Sequence, residues 1–524
     1  MPGGTRTTGI FPRPVAPPAL SGENRVVTSA AGTLRVHTTD GRWVIAAAVL
    51  GSGVAFLDGT VVNAALPAIG RDLHTDLAGL QWVLNGYMLT LGSFMIVGGA
   101  LGDRFGRRKV FVIGLVSFAL SSLLCGLAPT TVTLVAARCI QGAAAALLAP
   151  GSLAIISASF RPTDRGTAIG AWSGMAGVST ALGPFLGGWL ISAVSWRAVF
   201  FINLPLVVVA VAITMRHVPE SLDRNADHAI DFAGSTSLAL GLAGVVYALI
   251  EGPAKGWGAT EIAAGTLGAL MLVAFVVVEM RSRHPMVPLG VFRSRQFSGT
   301  NVATFLVYGG FGVTTFLVVV YLQERLGYSP LEAGASLLPI TVLMLLFSAR
   351  SGALAQRIGP RLQMTVGPVV IGAGIALFSR LEPGVSYWDG VLPATLVLAA
   401  GLVITVAPLT ATVLAAAEDR HAGLASAVNN AVARVGSLLA VAVIPAAAGV
   451  AVGGSGVSLD QGFDTAMIIA GVLSALGGVV AFFTIRRAAP VRTLTRADVS
   501  MPCEPPSCVR LAGGAREPAP AGSV

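Results

Sequence analysis

Apolar residues recur along this chain in runs of roughly 17 to 25 positions, each long enough to cross a hydrocarbon core of about 30 Å as a helix. The runs predict spans at Trp43 to Leu66, Leu80 to Leu101, Val110 to Leu127, Thr131 to Ile156, Thr167 to Val194 and Val199 to Met215. Two more follow at Ile230 to Ile250 and Ile262 to Val278. A last group covers Gly299 to Leu322, Ala333 to Ala355, Leu362 to Phe378, Val391 to Ala417, Leu424 to Val450 and Thr465 to Ile485. The short alternating strands of a membrane β-barrel are not seen. The expectation is an all-α integral membrane protein with about fourteen spans.

Basic residues test that count, because cytoplasmic loops collect Lys and Arg. With the N-terminus inside, the outside loops hold only Arg71, Arg197, Lys255, Arg325 and Arg380 of the 34 basic residues. Arg138, Arg350 and Arg434 fall in or at the edge of spans, and the rest lie in inside loops and both tails. An even number of spans with both termini cytoplasmic satisfies this asymmetry. Composition agrees: 54% of the 524 residues are hydrophobic and 11% charged, and the mean hydropathy is +0.77. A soluble multidomain protein is a poor fit to such values. The net charge of +9 sits almost wholly in loops and tails and gives no reason to invoke nucleic acid. Only Lys109 and Lys255 are lysines, an Arg- and Ala-rich usage typical of G+C-rich bacterial coding.

A repeat divides the spans. GALGDRFGRRK, from Gly99 to Lys109, follows span two, and GALAQRIGPR, from Gly352 to Arg361, follows span ten. Gly99, Leu101, Arg104, Gly106 and Arg108 align with Gly352, Leu354, Arg357, Gly359 and Arg361. Two parallel six-span halves, the architecture of one large transporter class, would set the copies six spans apart, so spans seven and eight read as an insertion. The expected organisation is a disordered cytoplasmic tail at 1–42, a six-helix bundle at 43–216, two inserted helices at 217–280, a second six-helix bundle at 281–487 and a disordered tail at 488–524. The N-terminal 42 residues lack the hydrophobic core of a signal peptide.

Asp58 carries the most information, because an ionisable side chain deep in a span is costly and defaults to a functional role. It lies roughly 22 Å into its helix from Trp43, and Arg138 lies roughly 10 Å into a helix entered from the opposite side, so the two share a depth in the outer half. Burial disfavours a charged carboxylate and a nearby guanidinium favours it, so changing their separation switches Asp58 between holding and releasing a proton. A permanent structural ion pair or a helix-end cap is the bland alternative. In the loop after span two, the glycines permit a tight turn. Asp103 can accept from Arg104, Arg107, Arg108 or a neighbouring helix N-terminus, closing one conformation on the cytoplasmic side, with a solvated turn that follows the positive-inside rule as the bland alternative. Gln356 replaces the aspartate in the second copy. Asn63, Trp82, Asn85, Tyr87, Trp172, Tyr308, Asn429 and Asn430 are candidates to line a central cavity, against interface belts and helix packing as the plainer reading. Asp231 reads as a helix cap, and Glu251, Glu279 and Glu324 as solvated anchors at span ends. Arg434, deep in span thirteen, has no evident acidic partner.

Five segments in order resemble the major facilitator superfamily, specifically its fourteen-span drug/proton antiporter branch, over roughly Trp43 to Arg487. GALGDRFGRRK matches the superfamily's loop signature. LVAARCIQGAAAA, from Leu134, is similar to its fourth-span pattern, with Arg138 and the Gln141-Gly142 pair. STALGPFLGG, from Ser179 to Gly188, resembles the antiporter signature, and the resemblance gives Gly183, Pro184, Gly187 and Gly188 a part in exchange. FLDGTVVNAALP, from Phe56, and WRAVFFINLP, from Trp196, resemble segments of the same branch. The resemblance implies a plasma-membrane exporter of lipophilic, cationic or antibiotic-like small molecules, working as a monomer among membrane lipids. The proton gradient is its energy source and no cofactor is expected.

Rival functions stay open at this stage. Neither lysine lies in a phosphate-binding GK[ST] loop, which disfavours a membrane ATPase. The histidines are scattered among tails and loops, and neither they nor Cys125, Cys139, Cys503 and Cys508 form a metal or nucleophile constellation, so neither an enzyme nor a metal site is expected. A dedicated metabolite exporter, a proton symporter for uptake, and a receptor or scaffold remain as alternatives.

Overall fold

The computed structural model describes residues 34–222, 232–282, 289–416, 422–450 and 459–486, with Gly3 and Gly32 in addition. Asp231, Cys503, Cys508 and the expected C-terminal tail lie outside the described residues. Sixteen α-helices follow one another without a named strand among the described residues. They are α1 Thr39–Asp72, α2 Leu77–Phe105, α3 Arg107–Gly126, α4 Thr131–Ser159, α5 Pro162–Ala193, α6 Ala198–Phe201, α7 Asn203–His217, α8 Phe232–Lys255 and α9 Ala259–Arg281. Then come α10 Arg295–Glu324, α11 Pro330–Ser336, α12 Leu338–Ile358, α13 Pro360–Leu377, α14 Leu392–Ala415, α15 Ala422–Ala447 and α16 Leu459–Thr484. Within the described residues, 13 stretches are long and apolar enough to cross a membrane, with α6 and α7 forming one and α11 and α12 another. α5 has 32 residues and carries a shorter apolar stretch, Leu182–Ala193.

Polar residues at the ends set the limits of these helices. Thr38 and Asp76 accept from the Gly41 and Gly79 amides and start α1 and α2. Reciprocal capping boxes, Thr130 with Thr133 and Ser329 with Glu332, start α4 and α11. The start of α1 precedes the expected boundary at Trp43, and Leu34 bridges Phe160 and donates a backbone hydrogen bond from its N–H to the Ser159 carbonyl. The last residues of the expected disordered N-terminal tail are therefore ordered, since backbone groups beside α4 offer them partners.

α1 packs on α4, α5 and α7, α2 on α4, and α3 on α4 and α7. The second set repeats this: α10 packs on α15 and α16, α13 on α14 and α16, and α12 on α14. α8 and α9 pair with each other, and α8 rests where α2 meets α15. The repeated loop has a repeated backbone. Gly106 at φ +106° and Gly359 at φ +83° each end one helix and begin the next, a conformation glycine adopts without strain. The following arginines also behave alike: Arg108 donates to the Val218 carbonyl just past α7, and Arg361 to the Phe482 carbonyl of α16.

Polar ties between the two sets gather at the end of the bundle where α1 gives way to α2. Arg71 pairs with Glu324 at 2.7 Å, Gln323 donates to the Ala64 carbonyl at 3.1 Å, and Gln81 to the Val441 carbonyl at 2.7 Å. At the same end α5 and α11 touch through their backbones. A Cβ on Gly188 would stand 2.3 Å from the Pro330 carbonyl oxygen, and one on Gly334 would stand 2.1 Å from that of Pro184.

Candidate functional site

α1, α3, α4 and α7 bring together a polar cluster that holds a buried ion pair. Asp58 and Arg138 form an ion pair with Asp58 0% and Arg138 1% exposed. Gln141, one turn beyond Arg138, donates to the other Asp58 oxygen at 2.9 Å and accepts from Arg138 Nη1 at 2.7 Å. Asn203, at the start of α7, donates to that same Asp58 oxygen at 3.0 Å. Ser122 on α3 accepts from both amides, at 2.7 Å from Gln141 and 3.1 Å from Asn203. The remaining guanidinium capacity is directed to α2: Nε donates to the Val83 carbonyl at 3.2 Å, and the Tyr87 ring lies 4.2 Å beneath the guanidinium carbon. The Tyr87 hydroxyl donates to the Ala55 carbonyl on α1.

An ion pair taken from water loses several kcal/mol of hydration per charge, offset only when the remaining lone pairs and protons are engaged. Three side chains donate to the Asp58 carboxylate, which fulfils that condition for the ionised form. Removing the charge on Asp58 leaves Arg138 buried without a counterion, a change worth about 3–5 kcal/mol in comparable pairs. The packing of the cluster therefore depends on the charge of Asp58. Asp58 and Arg138 come together as their similar depths suggested. Gln141 stood out in sequence only within the Gln141-Gly142 pair, and Ser122 and Asn203 did not stand out at all. Asn203 lies inside the WRAVFFINLP segment, and Gln141 follows Arg138 at the spacing that shares a helix face.

In the α2–α3 loop, Asp103 accepts from Arg107 at 2.8 Å. The N-terminus of α3 is held by a residue that sequence reasoning did not single out: Glu220 accepts from the Arg108 and Lys109 amides at 3.0 and 3.2 Å. A carboxylate suits that end of the helix dipole. A Cβ on Gly106 would stand 2.8 Å from the same carboxylate. Gly99 leaves ordinary space near Pro150, and Arg104 lies over the Phe105 ring. In α5, Gly183 and Gly187 let the helix approach Thr60 and Val61 of α1, while Pro184 and Gly188 form the contact with α11.

The proposed cavity residues scatter. Tyr87 joins the Asp58 cluster, and Asn85, two residues before it on α2, is buried. Trp82 turns to α8, where its indole donates to Glu251 at 2.8 Å. Trp172 donates to Ser52, and Asn429 donates to Asn301 and Thr304. Asn430 is exposed and donates to the Ser426 carbonyl, and Asn63 and Tyr308 are partly buried. Glu279, expected as a solvated anchor, is instead 3% exposed, although Val277 and Met280 beside it on α9 are exposed. Glu251 is held by Trp82 and Lys255, and Glu324 by Arg71. Arg434, midway along α15, reaches to within 3.9 Å of the Met88 sulfur on α2.

The family model of the Major Facilitator Superfamily matches residues 48–441. The puromycin resistance protein pur8 of Streptomyces alboniger is 38% identical over 415 residues, covering 77% of this chain and 81% of that protein. The tetracenomycin C resistance and export protein of Streptomyces glaucescens is 35% identical over 404 residues, covering 76% and 74%. The methylenomycin A resistance protein of Streptomyces coelicolor is 33% identical over 445 residues, covering 84% and 92%. Among solved structures, a peptide transporter POT in complex with sulfate superimposes with TM-score 0.64 at 13% identity, over 86% of this chain and 96% of that one. The POT family transporter PepTSo gives 0.61 at 15%, over 84% and 97%. At such identities the likeness speaks for the fold alone.

Proposed function

Because the chain belongs to the Major Facilitator Superfamily, a multi-pass membrane transporter and not an enzyme, we propose that it exports lipophilic, antibiotic-like compounds in exchange for protons by alternating access. The resistance and export proteins among its relatives support drug export. The buried Asp58 cluster carries the proton-coupling part of the reading. The same reading sets fourteen spans in the plasma membrane with both termini and the α2–α3 loop in the cytoplasm, following the distribution of arginines.

In that orientation the ties from Arg71 to Glu324, Gln323 to Ala64 and Gln81 to Val441 close the outer side. With the outer side closed, ionised Asp58 holds Arg138 and so joins α1 to α4 and, through Val83 and Tyr87, to α2. When the outer side opens, a proton from outside neutralises Asp58, and Arg138 is left with Gln141 and the Val83 carbonyl. Return to the inward conformation restores the pair and expels the proton to the cytoplasm. Substrate crosses in the other half of the cycle, so that neither ligand moves without the other.

Inverted vesicles test the reading. Asp58→Asn is expected to abolish proton-driven accumulation of drug while the amount of protein in the membrane is unchanged, and undiminished accumulation by that variant would sink the coupling assignment. A panel of antibiotics in an exporter-deficient host then measures substrate breadth. Protection against none of them would favour a dedicated metabolite.

A further inference from the structure

Asp58 is enclosed on every side, so among the groups of its cluster no carboxylate is left for a cationic drug in this conformation. Arg434 presents the opposite case. It stands 12 residues into α15, roughly 18 Å along the helix and near the middle of the bilayer. It is only partly buried, and among the described residues no carboxylate pairs with it. Its single hydrogen-bonding contact among the described residues is the Met88 thioether at 3.9 Å, a weak acceptor for a full positive charge. A guanidinium at this depth is costly unless something engages it.

Met88 comes from α2 of the first half and Arg434 from α15 of the second, so the group spans the seam between them. α2 and α15 run side by side here: a Cβ on Gly92 would stand in ordinary contact, 3.5 Å from the Arg434 Cβ. Tyr308 lies on α10, which packs on α15, is partly exposed, and its hydroxyl makes no hydrogen bond among the described residues. α10 is held against α15 one turn further on, where Gly312 meets Ser437. A planar fork of donors and an adaptable thioether thus meet at mid-membrane, with a phenolic side chain on the helix packed beside them.

Resting on the export reading above, we propose that Arg434, with Tyr308 and Met88, binds an anionic oxygen of the substrate, a carboxylate or acidic phenolate. Guanidinium recognises such oxygens through two parallel N–H bonds and tolerates an aromatic plane beside it. Substrate charge is thereby decided by Arg434 and proton coupling by Asp58, on different helices.

Two xanthene dyes of opposite charge, fluorescein and rhodamine 123, separate this proposal from the export reading. Their binding to the purified full-length chain in phosphatidylcholine nanodiscs is read by fluorescence anisotropy, with no gradient present, so a failure of proton coupling does not affect the result. Fluorescein is expected to bind at least tenfold more tightly than rhodamine 123. Arg434→Gln should remove that preference by weakening fluorescein at least tenfold, and Arg434→Lys should keep part of it, which controls for folding. Fluorescein binding no tighter than rhodamine 123, or unchanged in Arg434→Gln, would overturn the proposal. So would binding that disappears in phosphatidylglycerol nanodiscs, since the guanidinium would then belong to lipid headgroups.

Discussion

Adding one methyl group to the seam between α5 and α11 should shift the transporter toward the conformation in which that seam is open. Gly188→Ala places a Cβ 2.3 Å from the Pro330 carbonyl oxygen, and Gly334→Ala places one 2.1 Å from that of Pro184. Both obstacles are backbone, so no rotamer change relieves them and the helices must part. Overpacking of this kind costs about 1–3 kcal/mol. If the whole penalty falls on the closed seam, the equilibrium moves by about 5- to 150-fold. The double variant should add little beyond either single one, because helices already parted leave room for the second methyl. Hydrogen exchange followed by mass spectrometry reads this directly, as faster deuterium uptake in peptides covering 184–193 and 329–338. Gly352→Ala is the control, since its Cβ would find only the Ala407 methyl at an ordinary 3.6 Å. Seam peptides that exchange no faster than in that control, in variants with an unchanged melting temperature, would refute the reasoning.

Two further perturbations probe the ends of the bundle. Glu220→Gln removes the carboxylate from the N-terminus of α3 and from Arg108 but leaves an acceptor, so thermal unfolding should show a loss of about 0.5–1 kcal/mol, and Glu220→Ala a loss of about 1–2 kcal/mol. A double-mutant cycle on Arg71 and Glu324 should give a coupling below about 1 kcal/mol that fades with salt, because the side chains are 61% and 34% exposed. A larger, salt-independent coupling in that cycle would mean the pair is shielded from water in the working protein.

Much of the architecture was legible because membrane helices announce themselves by length and apolarity, and because only glycine suits the backbone that Gly106 and Gly359 share. The pairing of Asp58 with Arg138 was legible for a related reason: rise per residue converts sequence position into depth, and two opposite charges at one depth seek each other. What depth does not give is azimuth. Ser122 and Asn203 look like ordinary polar residues until α3 and α7 are rotated to face α1, and Trp82 looks like a cavity residue until α8 takes that side of α2. Glu220 was hidden differently. It follows the last helix of its half in the chain but caps the third, a contact that local spacing does not encode. The glycines of α5 were legible as a resemblance, and only the structure gives their partners: α1 for Gly183 and Gly187, α11 for Gly188.

The central proposal is that Asp58 carries the proton exchanged for drug. It is tested most directly by reconstituting the chain in liposomes with the pH dye pyranine inside and following proton movement when a transported drug is added. The wild type should move protons on addition of drug, and the Asp58→Asn variant should move none while still exchanging drug for drug across the membrane, since the alternating movement itself needs no proton. Proton flux in Asp58→Asn equal to that of the wild type would contradict the account.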